Sequence, residues 1–219
     1  MKILIVSATK FEIEPLLSEM NSLKLFNENL ICCTYKNLEI DFLITGVGMV
    51  ATAYFMGKTI NDNYNIAFNV GICGAFNKNL ELGTVVNIYE DCFSELGAED
   101  GEEFLSLEDL KLKGSTILTN TNSQIKNKAL SELPKVNGIT VNTVHGNENT
   151  INRVVQRFHP MVESMEGATF MLACDDYKTP YAQIRAVSNH VEKRNKDNWN
   201  IPLAIANLST KLIEILDGF

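Results

Sequence analysis

Histidine is scarce in this chain of 219 residues: there are three, at 145, 159 and 190, too scattered to assemble a zinc site. Five cysteines, with Cys32 and Cys33 adjacent, show neither CxxC nor Cys/His metal spacing, so they read as reduced thiols in the core of a cytoplasmic protein. Positive charge is also short, with 19 Lys and Arg against 27 Asp and Glu. A net charge of −8 excludes nucleic-acid and anionic-membrane partners, which need a basic face. Long apolar runs are missing too. Ile3–Val6 is far too short for a membrane span or signal segment, and no later stretch reaches that length, which implies a soluble protein. Gly46-Val47-Gly48 lacks the third glycine and the acidic partner of a dinucleotide fingerprint, so no cofactor is expected. Internal repeats, linkers and composition shifts are absent, and with 45% hydrophobic residues the chain can bury a core as one domain over 1–219.

What is present alternates between strands and helices. Lys2–Ser7 is a β-branched run passing into a helix over 8–20. Pro15 predicts a helix start that places Glu12 at or before the N-cap, at the carboxyl edge of the first strand, where α/β sheets bind ligands. A solvated helix-start acid fits Glu12 equally well. Residues 31–38 and 39–45 pattern as paired strands turning through Lys36-Asn37, and the glycines at 46 and 48 lead into a helix to about Ile60. Ile66–Val70 is a buried strand, with Gly71-Ile72-Cys73-Gly74 expected as a tight turn, either under a ligand or as a plain connection. Leu82–Ile88 is a further strand, and the acidic segment Asp91–Glu108 reads as a long surface loop. Residues 115–119 and 139–144 are β-rich. The second run ends in His145-Gly146, where the histidine suits a turn or supporting role rather than a base, since no nucleophile pattern accompanies it. Tyr181–Val187 is a strand carrying Arg185, with Ser188-Asn189-His190 after its end. Ile201–Leu216 is an amphipathic helix with Leu203, Leu208, Leu212, Ile215 and Leu216 inward.

The segment Val162–Phe170 places Glu166 beside Met165 where an apolar helix begins. A carboxylate there is either a helix acid favoured by the macrodipole or a group partnered by a ligand's hydroxyls, since burial of an unpaired charge costs several kcal/mol or more. Glu12, the 71–74 glycines, His145-Gly146, Glu166 and Asn189 thus gather at strand ends, as in an α/β enzyme building one pocket.

The segments MKILIVSATKFEIEPL, ITGVGMVATA, NVGICGAF, LGTVV, VESMEGATF and IRAVSNHVE resemble the purine nucleoside phosphorylase and nucleosidase superfamily along nearly the whole chain. Within it, the opening and the Met165-Glu166 pair are similar to methylthioadenosine/S-adenosylhomocysteine nucleosidases. GAEDG, VNTVHG, VESMEGATF and SNHVEKRNKDNWNIPLAIANL are similar to futalosine hydrolases. The resemblance implies a three-layer fold with a central mixed sheet between helices, and a homo-oligomer. It also implies hydrolysis of a purine nucleoside with water as co-substrate. Residue by residue, it implies that Glu12 activates the water, Met165 lies under the ribose, Glu166 accepts from the ribose hydroxyls, and Arg185 stands near the water. Asn189 falls where adenine-specific nucleosidases carry an aspartate that donates to N7 of the base. Ile72 departs from their Ser or Thr.

That set suits the chemistry. Breaking an N-glycosidic bond builds positive charge on the ribose and negative charge on the base, so both ends need stabilising. Asn189 offers an acceptor and a donor, matching a protonated N7 and the O6 of hypoxanthine, although an amide can present either atom. It cannot supply a proton. The acid tail of futalosine would find His190, Lys193 or Arg194, which fit a solvated basic loop as well. Basic phosphate ligands near Gly46 or Glu12 are missing, which disfavours phosphorolysis.

Overall fold

The computed structural model describes residues 1–121 and 125–219. In chain order the elements are β1 (Lys2–Ser7), α1 (Lys10–Ser18), β2 (Asn21–Asn27), β3 (Leu30–Tyr35), β4 (Leu38–Ile44), α2 (Met49–Thr59), β5 (Ile66–Ala75), β6 (Val85–Phe93), β7 (Gly97–Asp100) and β8 (Glu103–Ser106). They continue with β9 (Ile117–Thr119), α3 (Lys128–Ser131), β10 (Lys135–Thr140), α4 (Glu148–Phe158), β11 (Val162–Ser164), α5 (Gly167–Tyr177), β12 (Tyr181–His190) and α6 (Ile201–Asp217). The result is the mixed α/β architecture that the sequence leads one to expect, a central sheet flanked by helices.

The sheet order is β11-β10-β6-β12-β5-β1-β4-β3-β2, with β9 added alongside β6. Strands β4, β1, β5 and β12 run parallel, and β6 joins β12 antiparallel. Strand β11 also pairs with the far end of β5, Val162 opposite Ala75 and Glu163 opposite Gly74, so β5, β12, β6, β10 and β11 close into a ring. Alternation along β1 divides the core. Ile3 and Ile5 pack with Leu16 of α1 and Leu208 and Leu212 of α6, while Leu4 and Val6 pack with Met56 of α2 and Phe170 and Met171 of α5.

Several local expectations are corrected. Thr9, not Glu12, is the N-cap of α1. Glu12 is the third helical residue and reaches back to the Thr9 N–H at 3.0 Å, the acidic half of a capping box. Pro15 sits inside the helix, on an exposed face where water can serve the Phe11 carbonyl that its missing N–H leaves over. The glycines at 71 and 74 make no turn; β5 runs through them to Ala75. Strand β6 starts at Val85 and continues to Phe93, so the segment taken as a surface loop begins inside the sheet with a fully buried Asp91 and goes on as the β7–β8 hairpin. Strand β10 stops at Thr140, and Asn189 lies within β12 rather than beyond it. Leu203 faces outward, 38% exposed, and Ala204 and Ile205 take its place in the core. Strand β2 and helix α4 went unpredicted. Every residue of β2 is exposed, so it shows no buried face, whereas α4 places Ile151, Val154, Val155 and Phe158 at helical spacing and was legible in the sequence.

Candidate active site

Glu12 is the first wall of the site. The β1 to α1 junction turns its carboxylate inward, 8% exposed, and four donors hold it. Oε2 accepts from the Thr9 N–H at 3.0 Å, the Thr9 hydroxyl at 2.9 Å and the Ser7 hydroxyl at 3.3 Å. Oε1 accepts from the Ile72 N–H at 3.1 Å and keeps a lone pair for one more donor. Ile72, whose side chain offers no hydroxyl, lines the cavity together with Glu12.

Glu166 forms the next wall. It is the N-cap residue of α5, yet its side chain makes no cap there. Instead Oε1 accepts from the Gly48 N–H at 3.1 Å, at the N-terminus of α2. The glycine pair expected to let a ligand approach thus also serves a carboxylate, and the φ of +95° at Gly48 is one that L side chains rarely adopt. Arg185 Nη2 stands 3.4 Å from Glu166 Oε2. Burial pushes the Glu166 carboxyl above the ordinary range, the Arg185 charge and the Gly48 N–H oppose the rise, and the negative charge of Glu12 adds to it.

Arg185 lies behind the cavity rather than on its surface, fully buried, with Nη2 also donating to Asn69 Oδ1. Gly71 faces it across β5 and β12. A Cβ there would collide with Arg185 Nη1 and stand 2.7 Å from Glu12 Oε1, so the glycine opens the gap between guanidinium and carboxylate. Gly71 does not line the cavity itself.

Asn189 stands on the opposite side, re-aimed by a bulge that leaves Ser188 unpaired in the β5–β12 register. Its Nδ2 donates to the His190 carbonyl at 3.1 Å, and its Oδ1 lies 2.9 Å from the Ser188 hydroxyl. A carbonyl only accepts, so the amide orientation is fixed. Met165 lines the cavity beside Glu166. Gly146 does not; it abuts Arg194.

The cavity measures about 320 Å³ and runs from Thr9, Glu12 and Ile72 past Met165 and Glu166 to Gly74, Ser188, Asn189 and Trp199. A narrower recess of about 50 Å³ opens beyond Asn189, lined by His145, His190, Lys193 and Arg194. There the His190 Nε2 lies 3.0 Å from the Leu80 carbonyl, and Arg194 stacks on Trp199 at 4.9 Å. Two acids escaped the sequence reading. Glu163, 3% exposed, lines both spaces and holds His145 through its backbone N–H at 3.1 Å and its Nδ1 at 2.6 Å. Asp91 lies beneath the start of α5: Thr140 Oγ1 accepts from Ala168 N–H at 2.8 Å and donates to Asp91 at 3.0 Å, while Gln183 donates to the other oxygen at 2.9 Å. Nothing local marks either acid.

A larger cleft of about 690 Å³ lies elsewhere, between the β2–β3 connection and α2. Its buried acid, Asp41, is already met by Lys2 and the Tyr64 hydroxyl, both at 2.8 Å, so it presents no comparable open chemistry.

The family model described as Phosphorylase superfamily matches residues 2–219. A 5′-methylthioadenosine/S-adenosylhomocysteine nucleosidase of Buchnera aphidicola subsp. Schizaphis graminum is 25% identical over 99% of this chain and 96% of its own. A futalosine hydrolase of Streptomyces coelicolor is 29% identical over 82% of this chain and 80% of its own. Among solved structures, futalosine hydrolase of Helicobacter pylori strain 26695 superposes with a TM-score of 0.84 over 100% of this chain and 98% of that one, at 16% identity, a likeness of fold.

Proposed function

The chain belongs to the phosphorylase superfamily, and we propose that it is an N-ribosyl hydrolase that cleaves futalosine to hypoxanthine and dehypoxanthine futalosine, in the cytoplasmic route to menaquinone. The observation that carries this reading is the division of one cavity: Glu12 and Glu166 at one end, Asn189 at the other. Ribose between the carboxylates would have its growing positive charge stabilised by both. In this reading Glu12 Oε1 takes the proton of the attacking water, Glu166 accepts from the ribose hydroxyls, and Met165 packs under the sugar. Arg185 acts from behind, keeping Glu166 in place.

Asn189 supports a 6-oxopurine. With its amide orientation set by the His190 carbonyl, Oδ1 can accept from a protonated N7 while the second Nδ2 hydrogen donates to O6. The lining favours water over phosphate. Glu12, Glu163 and Glu166 face the cavity, and no Lys or Arg is among its lining residues in the described chain, so a phosphate dianion would meet repulsion. The enzyme is proposed to work as a homo-oligomer; exposed Val50 and Tyr54 on α2, close to the cavity residue Val47, offer apolar surface for a second copy.

A second reading, a methylthioadenosine/S-adenosylhomocysteine nucleosidase, is favoured by the nearly full-length alignment with the Buchnera relative. Incubating the protein with futalosine, inosine and methylthioadenosine, with and without phosphate, separates the possibilities. Hypoxanthine release from futalosine independent of phosphate is expected. Preference for methylthioadenosine would establish the second reading, ribose 1-phosphate would make it a phosphorylase, and binding without product would exclude an enzyme acting on these nucleosides.

A further inference from the structure

Asn189 cannot give a proton to the leaving base, and Glu12 and Glu166 lie toward the ribose. The base end holds another titratable pair. Glu163 is almost fully buried, and both of its oxygens are turned to one residue: Oε1 to the His145 backbone N–H and Oε2 to the ring Nδ1, at 2.6 Å. An ionised carboxylate only accepts, so Nδ1 carries a hydrogen and the ring's other nitrogen, Nε2, is left to exchange a proton. Among the described residues no hydrogen bond is made by that atom. The recess it borders shares Gly74, Val144, Glu163, Asn189 and Trp199 with the main cavity, so imidazole and amide open on one space. Gly74 keeps that space clear: a Cβ there would stand 3.3 Å from Asn189 Nδ2 and 3.4 Å from Glu163 Cγ.

We propose that His145, held by Glu163, is the acid that protonates the departing base. This rests on the N-ribosyl hydrolase reading. As the C1′–N9 bond breaks, its electron pair goes to the base and the Nε2 proton of the imidazolium passes to a base nitrogen. A water oxygen bonds C1′ and its proton goes to Glu12. Proton return from Glu12 to the imidazole through solvent restores the starting state. Three of the four other charged or titratable groups of the recess are engaged elsewhere. His190 is at the Leu80 carbonyl, Glu192 is paired with Lys78 at 2.7 Å, Arg194 is on Trp199, and Lys193 lies on the recess wall. The ring also lies against Phe76, with centroids 6.0 Å apart.

The test compares two leaving groups in His145→Gln and Glu163→Gln. One substrate is the purine riboside that the parent cleaves fastest. The other is p-nitrophenyl β-ribofuranoside, whose phenolate departs without a proton. His145→Gln should lower kcat/KM for the purine riboside by about 10²- to 10⁴-fold, as for loss of a general acid, and by less than about tenfold for the phenyl riboside. The alkaline limb of its pH profile should vanish. In Glu163→Gln that limb should move to lower pH, because the imidazolium has lost its counter-ion. Equal losses on both substrates, or an unmoved alkaline limb, would reduce the pair to a structural role and overturn the proposal. Where the parent leaves the phenyl riboside uncut, the pH limb alone decides. If the parent cleaves no purine riboside, the hydrolase reading falls and takes this proposal with it; if it cleaves one and the variants show no selectivity, only this proposal falls.

Discussion

Arg185 Nη2 and Glu166 Oε2 lie 3.4 Å apart, and neither side chain is open to solvent. Removing one partner of such a pair strands a buried charge, which costs about 3 to 5 kcal/mol. Arg185→Met should lower the unfolding free energy by that amount in urea titration, and adding Glu166→Gln should recover part of it. A loss under about 1 kcal/mol would show that Asn69 and water already satisfy the site.

Glu12→Gln keeps the shape of the side chain and exchanges the proposed base for an amide. Turnover should fall at least about a hundredfold while nucleoside affinity, read by calorimetry, changes little. More than a tenth of the parental kcat would remove Glu12 from the water-activating role.

Glu166→Ala should weaken both binding and turnover if, as proposed, Glu166 accepts from the ribose hydroxyls. Discrimination against 2′-deoxyribosyl substrates should shrink with it. Unchanged rejection of the deoxy analogue would mean that Glu166 does not touch the hydroxyls.

Asn189→Asp exchanges the Nδ2 donor for an oxygen that repels O6 and, when protonated, can donate to N7 of a 6-aminopurine. A wrongly paired buried polar atom costs roughly 1–3 kcal/mol, or about five- to 150-fold. The ratio of kcat/KM for futalosine to that for its 6-amino counterpart should fall accordingly, measured at several pH values. An unchanged ratio, or a parent that prefers the 6-amino substrate, would return the assignment to the adenosine-type nucleosidases.

Asp91 gives a pH signature of stability. Burial pushes its carboxyl up to about 6, against the pull of the Gln183, Thr140 and Cys92 hydrogen bonds and the Arg185 charge. In the unfolded chain it titrates near about 3.9. The folded state therefore holds the proton more tightly, and stability falls as pH rises from about 4 to about 6, by on the order of 3 kcal/mol, with the penalty persisting above that window. Asp91→Asn should flatten this slope in denaturant titrations, because Gln183 can turn its unpaired Oε1 toward the new amide. A parallel slope in the variant would assign the pH dependence to other groups.

The legible parts of the site were those announced by local chemistry. Glu12 lies in the first turn of the helix that follows β1 and Glu166 stands just before an apolar helix, so position along the chain was enough to bring both near strand ends. Asp91 and Glu163 were hidden because a buried acid in a strand looks, locally, like an acid in a loop. What buries Asp91 is 49 residues away in Thr140 and 92 away in Gln183, and what engages Glu163 is 18 away in His145. The glycines of β5 misled for a similar reason. Glycine suggests a turn from its backbone freedom, but at 71 a Cβ would run into Arg185 and Glu12, and at 74 it would crowd Val191, Asn189 and Glu163. The layers of the fold, by contrast, follow from alternation in β1 alone, which sends Ile3 and Ile5 to one set of helices and Leu4 and Val6 to the other.

The closed ring of strands sets when, during synthesis, this molecule can first hold a ligand. Strand β5 is complete at Ala75, but its partner at that end, β11, arrives only with Val162, and the cavity wall is finished only by Trp199 and Ile201. Closing so long a loop is entropically slow and brings no reward until the distant strand is present. A growing chain therefore lacks a complete cavity through most of its elongation. Ile201 itself opens α6, whose Leu208 and Leu212 complete the core beside α1, so the cavity and the core it rests on are finished by the same last segment of the chain.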